Sequence, residues 1–376
     1  MITLFFHIII NATRPVITLS ADSYGASLVE IGIVTALYAF FPLFLAIYFG
    51  QLIDKLGDKL PSIIAYMSIV IALVFPIVLP NIVGIIASQI LMGIANVFIP
   101  ISMQNILGHE STSENRDTYF SWFTLVVALG AVIGPIVGGY LTQYFSYNMV
   151  YVFCIGCAVL GIAVVATLNI DKYSTVKERQ PLIASFRLLQ NHQLKVALFA
   201  SALVLYSKDI FIAYFPLFGQ HIGMTETEIG WMIAIQGMAI MFIRFLLPRL
   251  LDVVSRKQIL FLSIFVAGLS FGAMPLFDDI YMLAIWIFLM GCGLGCGQPI
   301  SMTITYNASP PDRTAEVLGL RLTVNRLAQV TAPLGFGLLG GVFGILSVFY
   351  MSSALLVAGA FVFKPSLQSF YKRKAR

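Results

Sequence analysis

Charge is scarce in this chain. Of 376 residues only 10% are Asp, Glu, Lys or Arg, while 59% are hydrophobic. A water-soluble protein of this length has no way to hide that much apolar surface, so a soluble globular domain is excluded and lipid is the expected solvent. No P-loop is present, so ATP hydrolysis is not implied and any pumping must draw on a gradient. His109-Glu110 lacks the second His of a zinc-protease helix, and no other catalytic constellation appears, so an enzyme is not expected. Cys154, Cys157, Cys292 and Cys296 all fall inside apolar runs, which excludes a secreted disulfide framework. Cys292 and Cys296 lie one turn apart without a His or acidic neighbour in sequence, so packing is expected there and no metal. No basic segment precedes the first apolar run, so a cleaved signal peptide is not expected.

What is present is a series of apolar runs. They fall near residues 3–20, 30–50, 61–79, 83–106, 119–141, 149–168, 195–217, 229–248, 259–277, 281–305, 316–340 and 343–363. Each is about long enough to cross a bilayer as a helix. The expected fold class is therefore an all-α membrane protein with twelve transmembrane helices. The net charge of +5 is a topology signal. Lys55, Lys59, Arg116, Lys172, Arg249, Lys257, Arg313 and the 364–376 tail lie on one side. The opposite loops hold Asp22, Glu226, Glu228, Asp278 and Asp279, with no Lys or Arg. The positive-inside rule then puts both termini in the cytoplasm of a multi-pass cell-membrane protein. Nucleic acid is not an expected partner, since its binders gather basic residues on a soluble face.

The chain repeats itself at an offset of 198. Asp54 and Lys59 recur as Asp252 and Lys257, Leu91-Met92-Gly93 as Leu289-Met290-Gly291, and Pro135 as Pro333. Six helices per repeat is an even number, so the copies run parallel, related by an axis along the membrane normal. The expected domains are an N-terminal half, 1–168, a cytoplasmic linker, 169–194, a C-terminal half, 195–363, and a basic tail, 364–376. Within the linker, 182–194 reads as a short amphipathic surface helix.

Two motifs carry a family resemblance. Gly130-Ala131-Val132-Ile133-Gly134-Pro135-Ile136-Val137-Gly138-Gly139-Tyr140 sets Gly130, Gly134 and Gly138 on one helix face, and Pro135 removes the amide that would bond the Ala131 carbonyl. The pattern resembles the fifth-helix antiporter motif of the major facilitator superfamily. Gly50-Gln51-Leu52-Ile53-Asp54-Lys55-Leu56-Gly57-Asp58-Lys59 resembles that family's loop after the second helix, with Asp58 where a basic residue is common. The resemblance implies a gating role for Gly50, Asp54, Lys55 and Gly57, with Asp54 receiving free helix amides and Asp252 as a weaker second latch. The fourth-helix R-x-x-Q-G pattern of the drug-exporting branch is only partly met: Gln89 stands where the arginine belongs.

Charges inside apolar runs are costly and point to function. Arg14, Asp209 and Arg326 sit about 15–21 Å along the first, seventh and eleventh runs at 1.5 Å per residue. Arg14 and Arg326 could grip an anionic substrate, Asp209 could carry the coupled proton, or Asp209 could merely neutralise an arginine. Asn11 is the repeat equivalent of Asp209, and Asn325 and Gln329 flank Arg326. With Gln236, these are the candidate substrate-binding residues. Arg244 and Arg321 lie nearer the basic ends and are expected to snorkel to the surface. The resemblance implies a secondary transporter working by alternating access, most simply a monomeric proton-coupled exporter of a small drug or metabolite, with no cofactor beyond the proton gradient. Three alternatives stay open: an exporter of metallophores or other anionic metabolites, a nutrient symporter, and a non-transporting membrane receptor.

Overall fold

A computed structural model describes residues 1–110, 116–168, 191–309 and 314–363. The described residues form twelve long helices: α1 (Ile2–Ser23), α2 (Leu28–Leu56), α3 (Lys59–Val78), α4 (Ile82–Glu110), α5 (Arg116–Tyr144), α6 (Tyr147–Thr167), α7 (His192–His221), α8 (Glu226–Val253), α9 (Arg256–Ala273), α10 (Ile280–Ala308), α11 (Thr314–Phe343) and α12 (Ile345–Ala360). Eleven are long and apolar enough to cross a membrane. The other is α11, which carries Arg321 and Arg326 but has 30 residues, about 45 Å of helix. Most helices run beyond their apolar cores at one or both ends. The ninth span runs from Arg256 to Leu276, its α-helix giving way at Ala273 to a 3-10 segment, Met274–Leu276, around Pro275. The seventh helix begins at His192, inside the stretch read as linker. Residues 169–190 of that linker, including most of its expected surface helix, and the basic tail lie outside the described residues.

Helix starts follow from local chemistry, and they repeat. Ser27 and Glu30 form a capping box: Ser27 N–H donates to Glu30 Oε2 at 2.7 Å and Glu30 N–H to Ser27 Oγ at 3.3 Å. Thr225 and Glu228, 198 residues on, make the same two bonds at 2.8 and 3.3 Å. Before each box stands a glycine with φ near +80°, Gly25 and Gly223, a conformation that other residues rarely adopt.

Two compact units emerge. One combines Met1–Arg179, Ile210–Ala234 and Gln329–Ile345; the other combines Gln180–Asp209, Ile235–Ala328 and Leu346–Arg376. In the first unit the two sequence repeats meet through matching contacts. A methyl group at Gly32 would collide with the Pro333 carbonyl, and one at Gly230 with the Pro135 carbonyl. A methyl at Gly139 would lie 2.5 Å from the Glu226 carbonyl oxygen, and one at Gly337 2.8 Å from that of Leu28. Each pair is the other shifted by 198, so α2 meets α11 as α8 meets α5. These approaches need glycine because a backbone carbonyl has no room to yield.

Candidate functional site

The α5 stripe packs on α1. A side-chain carbon at Gly130 would meet His7 Cβ at 2.5 Å, one at Gly134 the Ile8 carbonyl at 2.8 Å and Asn11 Cβ at 2.9 Å, and one at Gly138 the Ala12 carbonyl at 3.0 Å. The smooth face read from the sequence therefore has a partner, and that partner is the helix carrying Asn11 and Arg14. Pro135 lies in the same helix and presents its carbonyl to Gly230.

Further along α1 from this seam is a small, partly open chamber. Arg14, Ile17 and Thr18 of α1, Val34 and Thr35 of α2, Gln89 of α4, and Ile212 and Ala213 of α7 line it. Its volume of about 10 Å³ is room for roughly one water. The Arg14 guanidinium carbon lies 5.1 Å from the centre of the Tyr38 ring, a cation–π contact. Thr35 bonds its own helix through the Ile31 carbonyl at 2.9 Å. Gln89 is only 4% exposed and hydrogen-bonds to no described residue. Its amide borders the chamber, where a polar occupant could bond it.

The other expected binding residues are distributed differently. Asn11 donates its amide to the His7 carbonyl at 2.7 Å, a bond within its own helix. Asp209 is buried and Arg326 half-buried, both in the second unit, whereas Arg14 belongs to the first. Among the described residues, buried Asn325 finds no partner for Oδ1 and buried Gln236 none for Nε2. The boundary between the units in α11 runs between Ala328 and Gln329, so Arg326 and Gln329, expected on one face, fall in different units. A second cavity, of about 430 Å³, is lined by Met1, Thr3, Leu107, Tyr119, Trp122, Phe123 and Val126 and contains none of the expected residues.

Around the loop after α2, Gly57 has φ +79°, which explains the glycine. Lys55 is exposed. Asp58 is buried and accepts from the Asn105 amide at 3.5 Å, so the residue that departs from the family pattern is drawn inward. Lys59 donates to the Ala166 and Leu168 carbonyls, both at 2.7 Å, capping the end of α6. The Gly50 and Asp54 positions lie outside the described side chains. Asp252 is exposed and bonds to no described residue.

One expectation is corrected. Arg321 does not snorkel: it is 8% exposed and donates to Gln298 Oε1 at 2.6 Å. Arg244 is exposed, and its Nε donates to the Gly295 carbonyl at 3.3 Å. Sequence reading missed the burial of Arg321 because depth along a helix does not tell which face a side chain takes. The polar spacings Gln298/Ser301 and Arg321/Asn325, each about one turn, were the available signal.

The sequence model of the Major Facilitator Superfamily matches residues 1–218 and again 197–374. The chain belongs to this superfamily. Relatives in it include an uncharacterized MFS-type transporter of Methanocaldococcus jannaschii, 22% identical over 90% of this chain and 89% of the relative. The multidrug resistance protein MdtG of Dickeya zeae is 24% identical over 88% of this chain and 82% of its own. The multi-drug resistance efflux pump PmrA of Streptococcus pneumoniae is 22% identical over 81% and 77%. Among solved structures, a mutant form of the nucleoside transporter NupG superposes with TM-score 0.83 at 14% identity, over 96% of this chain and 98% of that one. A bacterial homologue of the lysosomal transporter Spinster gives 0.74 at 15%, over 96% and 93%. The protein is thus a multi-pass membrane transporter of the superfamily and not an enzyme.

Proposed function

We propose that this superfamily member exports a small organic molecule from the cytoplasm in exchange for protons, by alternating access between its two sequence repeats. The observation that carries the reading is the α5 glycine stripe seated on α1, the helix that brings Arg14 to the polar chamber. A smooth seam lets α1 and α5 shift against each other, and any such shift moves Arg14. Relatives named for multidrug efflux, aligned over most of both chains, support the same direction.

In this reading Arg14 and Gln89, which line the chamber of the first unit, contact the cargo. Asp209, a buried carboxylate within a membrane-spanning helix, carries the proton, and proton loss accompanies a change of access. The termini are cytoplasmic, the protein sits in the cell membrane and acts as a monomer. Reconstituted vesicles with an imposed pH gradient test the proposal. Asp209→Asn should abolish uphill export while leaving downhill exchange measurable. Uphill export retained in that variant would remove Asp209 from the coupling role.

A further inference from the structure

Pro299 has no amide, so it leaves the Gly295 carbonyl of α10 without its helical partner. Arg244 of α8 fills that gap through Nε. One turn further along the same helix, Arg321 of α11 donates through Nη2 to Gln298 Oε1 at 2.6 Å, to Ser301 Oγ at 3.2 Å and to the Gln298 carbonyl at 3.4 Å. Gln298 is itself held in place. Its Nε2 donates to the Ser201 carbonyl at 2.9 Å, and Ser201 Oγ donates to its Oε1 at 3.3 Å. The oxygen of Gln298 is thereby fixed toward the guanidinium. All these residues belong to the second unit.

Every acceptor in this arrangement is neutral. Among the described residues no carboxylate pairs with Arg321 or with Arg244. Arg321 is more than nine-tenths buried, and its Nε is enclosed without a partner. Asn325, one turn along α11, is equally buried and its Oδ1 also lacks one. A buried cation needs an anion or a full set of hydrogen bonds, and among the described residues Arg321 has no anion and its Nε no acceptor. A guanidinium's fork matches the geometry of carboxylate and phosphate oxygens.

We propose that Arg321, oriented by Gln298 and Ser301 and supported by the charge of Arg244, is a binding site for an oxyanion, a carboxylate or phosphate borne by the cargo or by a lipid headgroup. Only the cargo alternative rests on the exporter reading. The site would also disfavour lipophilic cations, because Arg321 holds a fixed positive charge there.

The test uses the full-length protein in nanodiscs of phosphatidylcholine, with citrate and inorganic phosphate as probes and tetraphenylphosphonium as the cationic contrast. Phenylglyoxal modification of Arg321, read by peptide mass spectrometry, needs no variant and so does not depend on a variant folding. Citrate or phosphate should slow modification at Arg321, and tetraphenylphosphonium should not. Citrate affinity should fall about tenfold or more in Arg321→Gln and less in Arg321→Lys, which keeps the charge but loses the fork. If adding phosphatidylglycerol protects Arg321 while citrate and phosphate do not, the oxyanion is that of a lipid. Lack of protection by every anion, or unchanged citrate affinity in a folded Arg321→Gln, overturns the site. An export failure in vesicles with protection intact would instead overturn the transport direction and leave the oxyanion site standing.

Discussion

Arg14 lies with its guanidinium over the face of Tyr38, beside a chamber large enough for about one water. Arg321 lies among amide and hydroxyl oxygens whose own positions are fixed by further hydrogen bonds. An aromatic face attracts a cation without demanding one orientation. Directed acceptors hold the other guanidinium to α10. The contrast is between a cation seated on a ring face and one bonded by oriented oxygens.

The sharpest way to break the comparison is Gln298→Leu. It removes the oxygen shared by Arg321 and Ser201 and should cost about 3 kcal/mol in equilibrium unfolding. Adding Arg321→Met to that variant should restore much of the loss, since an apolar pair replaces a stranded charge. If the double variant is no better than the single one, Arg321 was not the group left wanting.

Next in size is Gly134→Val, which forces side-chain carbons against the Ile8 carbonyl and Asn11 Cβ. It should destabilise by roughly 1–3 kcal/mol, read as a lowered Tm. It should also slow transport more than its stability loss explains, because it jams the seam on which Arg14 rides. Tyr38→Leu should cost about 1 kcal/mol, and Tyr38→Phe less, because the ring face remains. Equal effects from the two would mean that the ring is not what holds Arg14. The smallest effect is expected from Asn11→Ala. The Asn11 amide serves only its own helix, so stability should change by about 0.5 kcal/mol or less. A clear loss of cargo affinity in that variant would return Asn11 to the site.

Much of the molecule was legible in one dimension. Gly130, Gly134 and Gly138 announced a close seam by spacing alone, because a residue every fourth place must share a helix face. Gly57 was legible as part of a turn, and its φ of +79° explains the residue. The faces of the arginines were not legible. Arg321 looked like a surface-seeking side chain by its depth, yet Gln298 and Ser301 on α10 drew it inward. Asp58 looked like a departure from a family pattern, and only its neighbour Asn105 on α4 reveals a buried carboxylate. Arg326 and Gln329 share a face by spacing, yet packing divides them between two compact units.

Composition and periodicity by themselves determined that the chain lives in lipid, that the described residues form twelve long helices and that it is built from one motif used twice. Those properties follow from local physics: a helix satisfies its own backbone bonds, and its apolar length matches the bilayer. Only the tertiary structure decided which polar groups meet. The repeat even predicts its own cross-contacts, Gly32 with Pro333 and Gly230 with Pro135, but nothing in either segment alone names the other. Hydrogen-bond partners such as Gln298 and Arg321 lie on different helices, and their pairing depends on how those helices pack around α10.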